Sequence, residues 1–419
     1  MSRLLSKCLI RYIALYLTGA CVYLNCRGVL AADPIDSLSR IEQEFANKKL
    51  SKDSLAALVE IVDKYPTNSH AHIVLGNCCD SFGLPEQAME QYKLAFKYGP
   101  NEVESFLELV KALVRTGQLT AASSLLMQAM QRFPADPQVL FWTGNALYKE
   151  QRYDEAKALY QEAWAKSHKP IVGLYSALGS LDLREGRYGN ALRLAMADLS
   201  HDKNLPQANE VAGLALERMS RYEKALPYLT IAFKYNPENY SLAYSFARSL
   251  MWCAKYNQAF MPALFALSNA PHYEGRSLVI NTMKTITPHL SKGEVQADIS
   301  QASQSRYLWQ NPLVHQELMR ICIDKGLLDL ALVEGSIAVR LNPQSANARY
   351  KLALMLENYK HDYPAALQYL REAQVLDPYD HDIKQCLMRL EDRLTINKAD
   401  WAWQLKDWLN KCFGLRLRT

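Results

Sequence analysis

The stretch from Pro137 to Pro170, PQVLFWTGNALYKEQRYDEAKALYQEAWAKSHKP, decides how the 419-residue chain is read. It is 34 residues long and holds two short amphipathic runs, the first carrying Gly144 and the second Ala156, Tyr160 and Ala163. His168 stands where other blocks carry a proline, with Pro170 just after. The block from Ser69 repeats these offsets with Leu75, Gly76, Ala88, Tyr92, Ala95 and Pro100. The block from Val103 has Leu109, Ala122, Leu126, Ala129 and Pro134, and that from Pro206 has Gly213, Ala225, Leu229, Ala232 and Pro237. Pro66, Pro100 and Pro134 fall 34 residues apart, as do Pro237 and Pro271. Self-similarity at such a period marks a repeat architecture.

The spacing has a physical reading. Gly76, Gly144, Gly179 and Gly213 lie in mid-helix, where glycine costs about 1 kcal/mol relative to alanine. A cost repeated at one register implies close helix contact there. The expected facing residues are Ala88, Ala122, Ala156, Ala191, Ala225, Ala259, Ala331 and Ala366. Tyr153, Tyr188, Tyr222, Tyr256 and Tyr363 fill space three residues earlier. The prolines end each second helix, because proline lacks the N–H and clashes with the preceding turn. One unit cannot bury its apolar face, so stability must come from stacking neighbours in a row.

These residues resemble the tetratricopeptide repeat family, a 34-residue helix-turn-helix with an aromatic, Leu-Gly, Tyr, Ala, Phe and Pro at fixed offsets. Blocks start near residues 35, 69, 103, 137, 172, 206, 240, 274, 312 and 346, although the first keeps little of the pattern beyond Pro66. The resemblance implies an all-α, right-handed α-solenoid of about ten helix-turn-helix repeats over residues 35–380, with C-terminal capping helices. The block at 274–311 is irregular: Pro288 stands near the inter-helix turn, Gly293 takes the alanine register, and Gln301, Ser303, Gln304 and Ser305 make its end polar. Residues 381–419 read as a capping helix, with Ile383, Leu387, Leu390 and Leu394 at helical spacing, then an amphipathic tail with Trp401, Leu405, Trp408, Leu409 and Cys412.

Composition agrees with a helical globular chain: 49% apolar and 22% charged residues, with 17 Gly and 17 Pro. The 48 Lys and Arg against 43 Asp and Glu give a net charge of +5. Arg3, Lys7, Arg11 and Arg27 precede the first acid, Asp33, so the remainder is nearly neutral. That balance gives no basic face for nucleic acid. Residues 1–31 have the layout of an export signal: a basic start, an apolar stretch from Tyr12 to Leu24, and small residues at Val29 and Ala31 before a cut after Ala31. The alternative is a membrane anchor from Cys8 to Cys26, but its charge-free part rises only about 20 Å as helix, against a hydrocarbon core of about 30 Å. A lipoprotein cut before Cys21 lacks the expected Leu three residues earlier.

No phosphate-binding glycine loop, HExxH helix or nucleophile elbow is present, so no cofactor and no catalytic residue is expected. His70, His72, Cys78, Cys79 and Asp80 are all ligand types. His72 and Cys79 nevertheless share the register of Phe106 and Leu113 in the next block, so core packing is expected rather than a metal. Cys79 and Cys322 share one inward register and the blocks flanking Cys79 hold no cysteine, which argues against a disulfide framework.

In the resembled family the groove formed by the first helices holds an extended peptide or a partner helix. At that register stand Asn77, Lys111, Asn145, Ser180, Leu214, Arg248, Arg320 and Leu354, with Phe141, Tyr148, Tyr244, Trp252 and Tyr350 nearby as apolar anchors. An Asn amide offers donor and acceptor to a peptide backbone. The family's carboxylate clamp is not carried over, because Glu108 occupies a register that needs an Asn. The expected function is a non-enzymatic scaffold, exported or envelope-anchored, that binds a protein or peptide partner, as in assembly of a secretion, pilus or polysaccharide-export complex. The N-terminal segment or the C-terminal tail offers membrane contact. The alternatives are a repeat-bearing accessory subunit of an envelope enzyme, and an enzyme or sugar-processing protein carrying the repeats as a substrate arm, the latter short of room for a catalytic domain in the roughly 40 residues beyond the repeats.

Overall fold

The computed structural model describes residues 34–46 and 52–394. The proposed leader and the Trp401–Cys412 stripe lie outside the described residues. Among those described there is no strand, and no helix is long and apolar enough to cross a membrane. The chain divides into two compact units, Met1–Leu181 and Asp182–Thr419.

In the first unit the helices Pro34–Ala46 and Lys52–Lys64, Ser69–Ser81 and Pro85–Tyr98, Val103–Arg115 and Leu119–Arg132, and Pro137–Lys149 and Tyr153–Lys166 form successive pairs. In the second unit the pairs are Pro206–Arg218 with Tyr222–Tyr235, Tyr240–Trp252 with Tyr256–Asn269, Pro312–Asp324 with Leu328–Leu341, and Ala346–Met355 with Tyr363–Leu376. The first helices of neighbouring pairs also touch, making a layer within each unit.

Local chemistry sets these boundaries. The repeat prolines end second helices, and after Pro66, Pro134, Pro237 and Pro343 a short polar side chain two residues on caps the next first helix. Asn68 accepts from Ala71 N, Asp136 from Gln138 N and Val139 N, Asn239 from Leu242 N and Ser345 from Ala348 N. Between the two helices of a pair the chain passes through one left-handed residue. Gly83, Gly117, Gly186 and Gly326 fill that position in four repeats, whereas Gln151, Ser220, Ala254 and His361 fill it in four others. The flanking amides close Schellman motifs: Arg152 N donates to Leu147 O at 2.9 Å and Gln151 N to Tyr148 O at 3.1 Å.

The glycine register is a close contact, but its partner differs from the expected one. A Cβ on Gly76 would lie 2.6 Å from Tyr92 Cε1, one on Gly144 2.6 Å from Tyr160 Cε1, and one on Gly213 2.7 Å from Leu229 Cδ2. The residue opposite each glycine is thus the large one four positions beyond the alanine, and the alanines Ala88, Ala156 and Ala225 are buried beside it.

Departures from the 34-residue period have visible homes. One extra residue in the block from Ala346 becomes a π-helical turn at Leu356–Lys360, moving the left-handed residue to His361. In the irregular block, helix Tyr273–Ile286, a 3-10 turn Thr287–His289 containing Pro288, and helix Lys292–Gln304 are followed by the one-turn helix Arg306–Trp309. Gly293 does not act as the alanine register, since an added Cβ there would meet nothing within 4 Å. The elements of this block pack instead around Tyr256–Asn269. That helix buries Phe260, Ala263, Leu264, Ala266 and Leu267, and its apolar residues run around its whole circumference, as a helix with neighbours on every side requires.

Candidate partner-binding surface

In the first unit the Asn residues at the groove register have an internal task. Tyr160, only 1% exposed, donates its hydroxyl to Asn145 Oδ1 at 2.8 Å, and Tyr92 stands 2.8 Å from both Asn77 Oδ1 and Asp80 Oδ2. Burial pushes both phenols far above their ordinary range, with Asp80 adding to the effect at Tyr92. Each Asn follows a mid-helix Gly, so Gly-Asn on the first helix seats a Tyr on the second. Where Leu229 replaces the Tyr, Leu214 replaces the Asn. The carbonyl oxygens are taken, and among the described residues the Nδ2 donors of both Asn residues meet no acceptor.

Lys111 sits 2.6 Å from Glu108 Oε1 and lies over the Trp142 ring at 5.9 Å. Tyr148 packs edge-on against Tyr153. Ser180 bonds back to Ser176 O. Phe141 is 4% exposed and packs on Trp142 and Tyr160, so it is a core residue and not a surface anchor. The matching Leu107 of the preceding repeat is equally buried, so this register belongs to the packing of the repeats.

His72 is likewise internal. Its ring contacts Gln91 Oε1 at 2.8 Å and Pro66 O at 3.1 Å. His315 repeats the arrangement, with Glu334 at 2.6 Å and Trp309 O at 3.0 Å. Cys78 and Cys79 are buried free thiols, pushed up by burial to about 12 and about 11, and Cys322 is pushed up to about 12 the same way. No group of three or more metal-ligand side chains is assembled among the described residues. An open pocket of about 760 Å³ lies at the turns around Phe133, Pro134, Asp136 and Lys166, touching the first helices only at their N-terminal residues Val103, Pro137 and Gln138.

In the second unit two of the three aromatic candidates, Tyr244 and Trp252, share one helix, and Tyr350 lies on another. Tyr240, Tyr244, Arg248 and Trp252 recur every four residues along Tyr240–Trp252. Tyr240 and Tyr244 stack in near-parallel planes, 5.9 Å apart and 7° inclined. The Arg248 guanidinium lies over Tyr244 at 5.5 Å. Trp252 is 62% exposed and stacks on Tyr222 at 5.7 Å and 11°. Beneath them Glu217, whose side chain has no exposed surface, pairs with Arg248. Removing one member of such a buried pair leaves an uncompensated charge, so Arg248 is held firmly. Glu217 and Tyr240 carry no expectation from the sequence and Tyr222 reads there only as a packing residue, although Tyr240 and Trp252 share a four-residue spacing with Tyr244 and Arg248.

Arg320 is engaged by Glu317 and Asp324 on its own helix. Tyr350 Oη stands 3.7 Å from Cys386 Sγ, and Leu354 packs against the last core cluster. Arg389 reaches back to Glu357 at 2.8 Å, as Arg248 reaches Glu217, and Asp80 pairs with Arg115 in the same way in the first unit. An acid near the end of one first helix and an arginine on the next is therefore a recurring clasp between repeats.

Residues 107–167 and 336–381 match the model of the tetratricopeptide repeat family. Those two stretches match tetratricopeptide repeats, and the other described helices are arranged in the same kind of consecutive pairs. A 74-residue stretch is 35% identical to the chloroplastic PsbB mRNA maturation factor Mbb1 of Chlamydomonas reinhardtii, covering 18% of this chain and 11% of that one. The chain therefore spans about a tenth of the length of that curated relative. Among solved structures, human IFIT1 is 14% identical with 81% of this chain and 82% of that one covered, at a TM-score of 0.43. Pseudomonas aeruginosa PilF is 20% identical over 50% of this chain and 95% of that one, at 0.37. YrrB, described as having an unusual peptide-binding site, is 16% identical over 47% and 99%, at 0.31. Tetratricopeptide repeats are protein–protein interaction units, and such folds are in general non-catalytic scaffolds.

Proposed function

We propose that the protein is an exported or envelope-anchored scaffold that binds an extended segment of a protein partner on its first-helix surface. The observation that carries the reading is Trp252, a large aromatic left 62% exposed yet fixed in orientation by its stack on Tyr222. Rigid exposed Trp, Tyr and Arg side chains are the composition of binding hot spots. Lys111 beside Trp142 in the first unit offers a second point of attachment. Asn77 and Asn145 contribute only their free Nδ2 donors, because their oxygens hold tyrosines.

The export part of the proposal rests on the basic-apolar-small layout of residues 1–31, and assembly of an envelope complex is the role it favours. Affinity capture from envelope extract tests both parts. The intact chain should retain a partner that Trp252→Ala loses, and N-terminal sequencing of the recovered chain should begin at Ala32. Equal recovery by the variant would refute the surface. Loss only on deleting residues 396–419 would move it to the tail.

A further inference from the structure

Resting on that reading, we infer that the Tyr240–Trp252 helix of the second unit takes a proline-rich segment in the polyproline II conformation. The first ground is shape. Planar groups line the helix in two supported sets: Tyr240 stacks on Tyr244 with the flat Arg248 guanidinium over Tyr244, and Trp252 stacks on Tyr222. From residue 240 to 252 the helix rises about 18 Å, the length of about six residues of polyproline II. Pyrrolidine rings are flat, apolar and already ordered, so they lie on such faces with little entropy lost.

The second ground is hydrogen-bond complementarity. A run of prolines has carbonyl acceptors and no N–H donor, and in polyproline II none of these carbonyls is bonded internally. Arginine and tryptophan are donor-only side chains. Arg248 keeps 30% of its side chain exposed, while the acceptor that neutralises it, Glu217, is sealed beneath. The outward face thus supplies donors to a segment that needs them, and its charged acceptor, Glu217, is hidden.

The third ground is charge. Residues 206–252 carry five basic and four acidic side chains, and Arg248 is already paired, so the stacking faces lack the excess of cations that a single-stranded nucleic acid requires.

Isothermal titration calorimetry on the full chain tests the inference, with three probes: a ten-residue proline peptide, a Gly-Ser peptide of the same length and a ten-nucleotide oligouridine. The expected result is saturable binding of the proline peptide alone, weakened about tenfold by Trp252→Ala and restored by Trp252→Tyr. Tyr222→Leu, which removes the stacking support, should weaken it in the same direction, with unchanged circular dichroism in all variants. No saturable binding of the proline peptide, equal binding of the Gly-Ser peptide, preference for the oligouridine, or indifference to Trp252→Ala would each overturn it. If the proline peptide fails while envelope capture through Trp252 succeeds, only the partner chemistry is wrong. If both fail, the scaffold surface itself is wrong.

Discussion

The Tyr160 hydroxyl donates to Asn145 Oδ1 at 2.8 Å, from a second helix to the first helix of the same repeat. It ties a residue that reads as a peptide ligand to the packing of the core. Asn145→Leu should leave a buried hydroxyl without its partner and lower stability by about 1 to 2 kcal/mol. Adding Tyr160→Phe should return most of that loss, since the pair then approaches the Leu214/Leu229 solution used two repeats later. Chemical denaturation of the two single variants and the double gives the coupling. Strict additivity would show that the hydrogen bond is not what the Asn provides.

Ala254 holds a left-handed conformation, φ 56°, at a turn where four other repeats place glycine. A non-glycine residue there carries a penalty of about 1 kcal/mol. Ala254→Gly should therefore raise the thermal midpoint by a few degrees, less the entropy glycine adds to the unfolded chain. A lowered midpoint in differential scanning calorimetry would contradict this reading of the turn.

Glu210 is pushed up to about 7 by burial, opposed by the hydrogen bond it accepts from Asn239 Nδ2 at 2.7 Å. The folded state therefore binds a proton more tightly than the unfolded one, and stability is lost as pH rises from about 4.5 to about 7. Glu210→Gln keeps an acceptor for Asn239 and removes the charge. It should stabilise the protein at pH 8 by about 1 to 2 kcal/mol and change little at pH 4.5. Urea midpoints at the two pH values check this.

His70 is held above its ordinary range by Glu104, with Glu42, 2.9 Å away, and Glu102 acting in the same sense. Its partner Glu104 is held below the usual carboxylate range by the same contact. The histidine's contribution is complete below about pH 6.5 and disappears as pH rises through its folded value. That of Glu104 is present above about 4.5 and fades as pH falls. His70→Ala should thus destabilise between about pH 5 and 6, by no more than about 1 kcal/mol for so exposed a cluster, and have almost no effect at pH 8. Amide exchange in helices Ser69–Ser81 and Val103–Arg115 would report it.

Periodicity carried most of the fold. Glycine, alanine and proline recur because backbone geometry demands them, so their spacing names the helices, the turns and the contact register. What recurs less visibly is pairing across a repeat. Nothing in the first helix alone says that Asn145 answers Tyr160, or that Glu217 lies sealed under Arg248, because each pair is 15 or more residues apart and has meaning only after packing. Phe141 misled for the same reason: at helical spacing it is as apolar as an anchor, and only its packing on Trp142 and Tyr160 makes it core. The absent register at Gly293 reflects the 3-10 turn Thr287–His289, after which the second helix starts at Lys292 and the buried Val295 takes the fourth position that alanine holds elsewhere.

The most direct test of the scaffold reading is site-specific photocrosslinking of the full chain in its native envelope. A crosslinker replacing Trp252, on the first-helix surface, is compared with one replacing Trp164, an exposed residue on a second helix. A discrete partner captured from position 252 and not from 164 is the predicted result. Capture from 164 with none from 252 would contradict it.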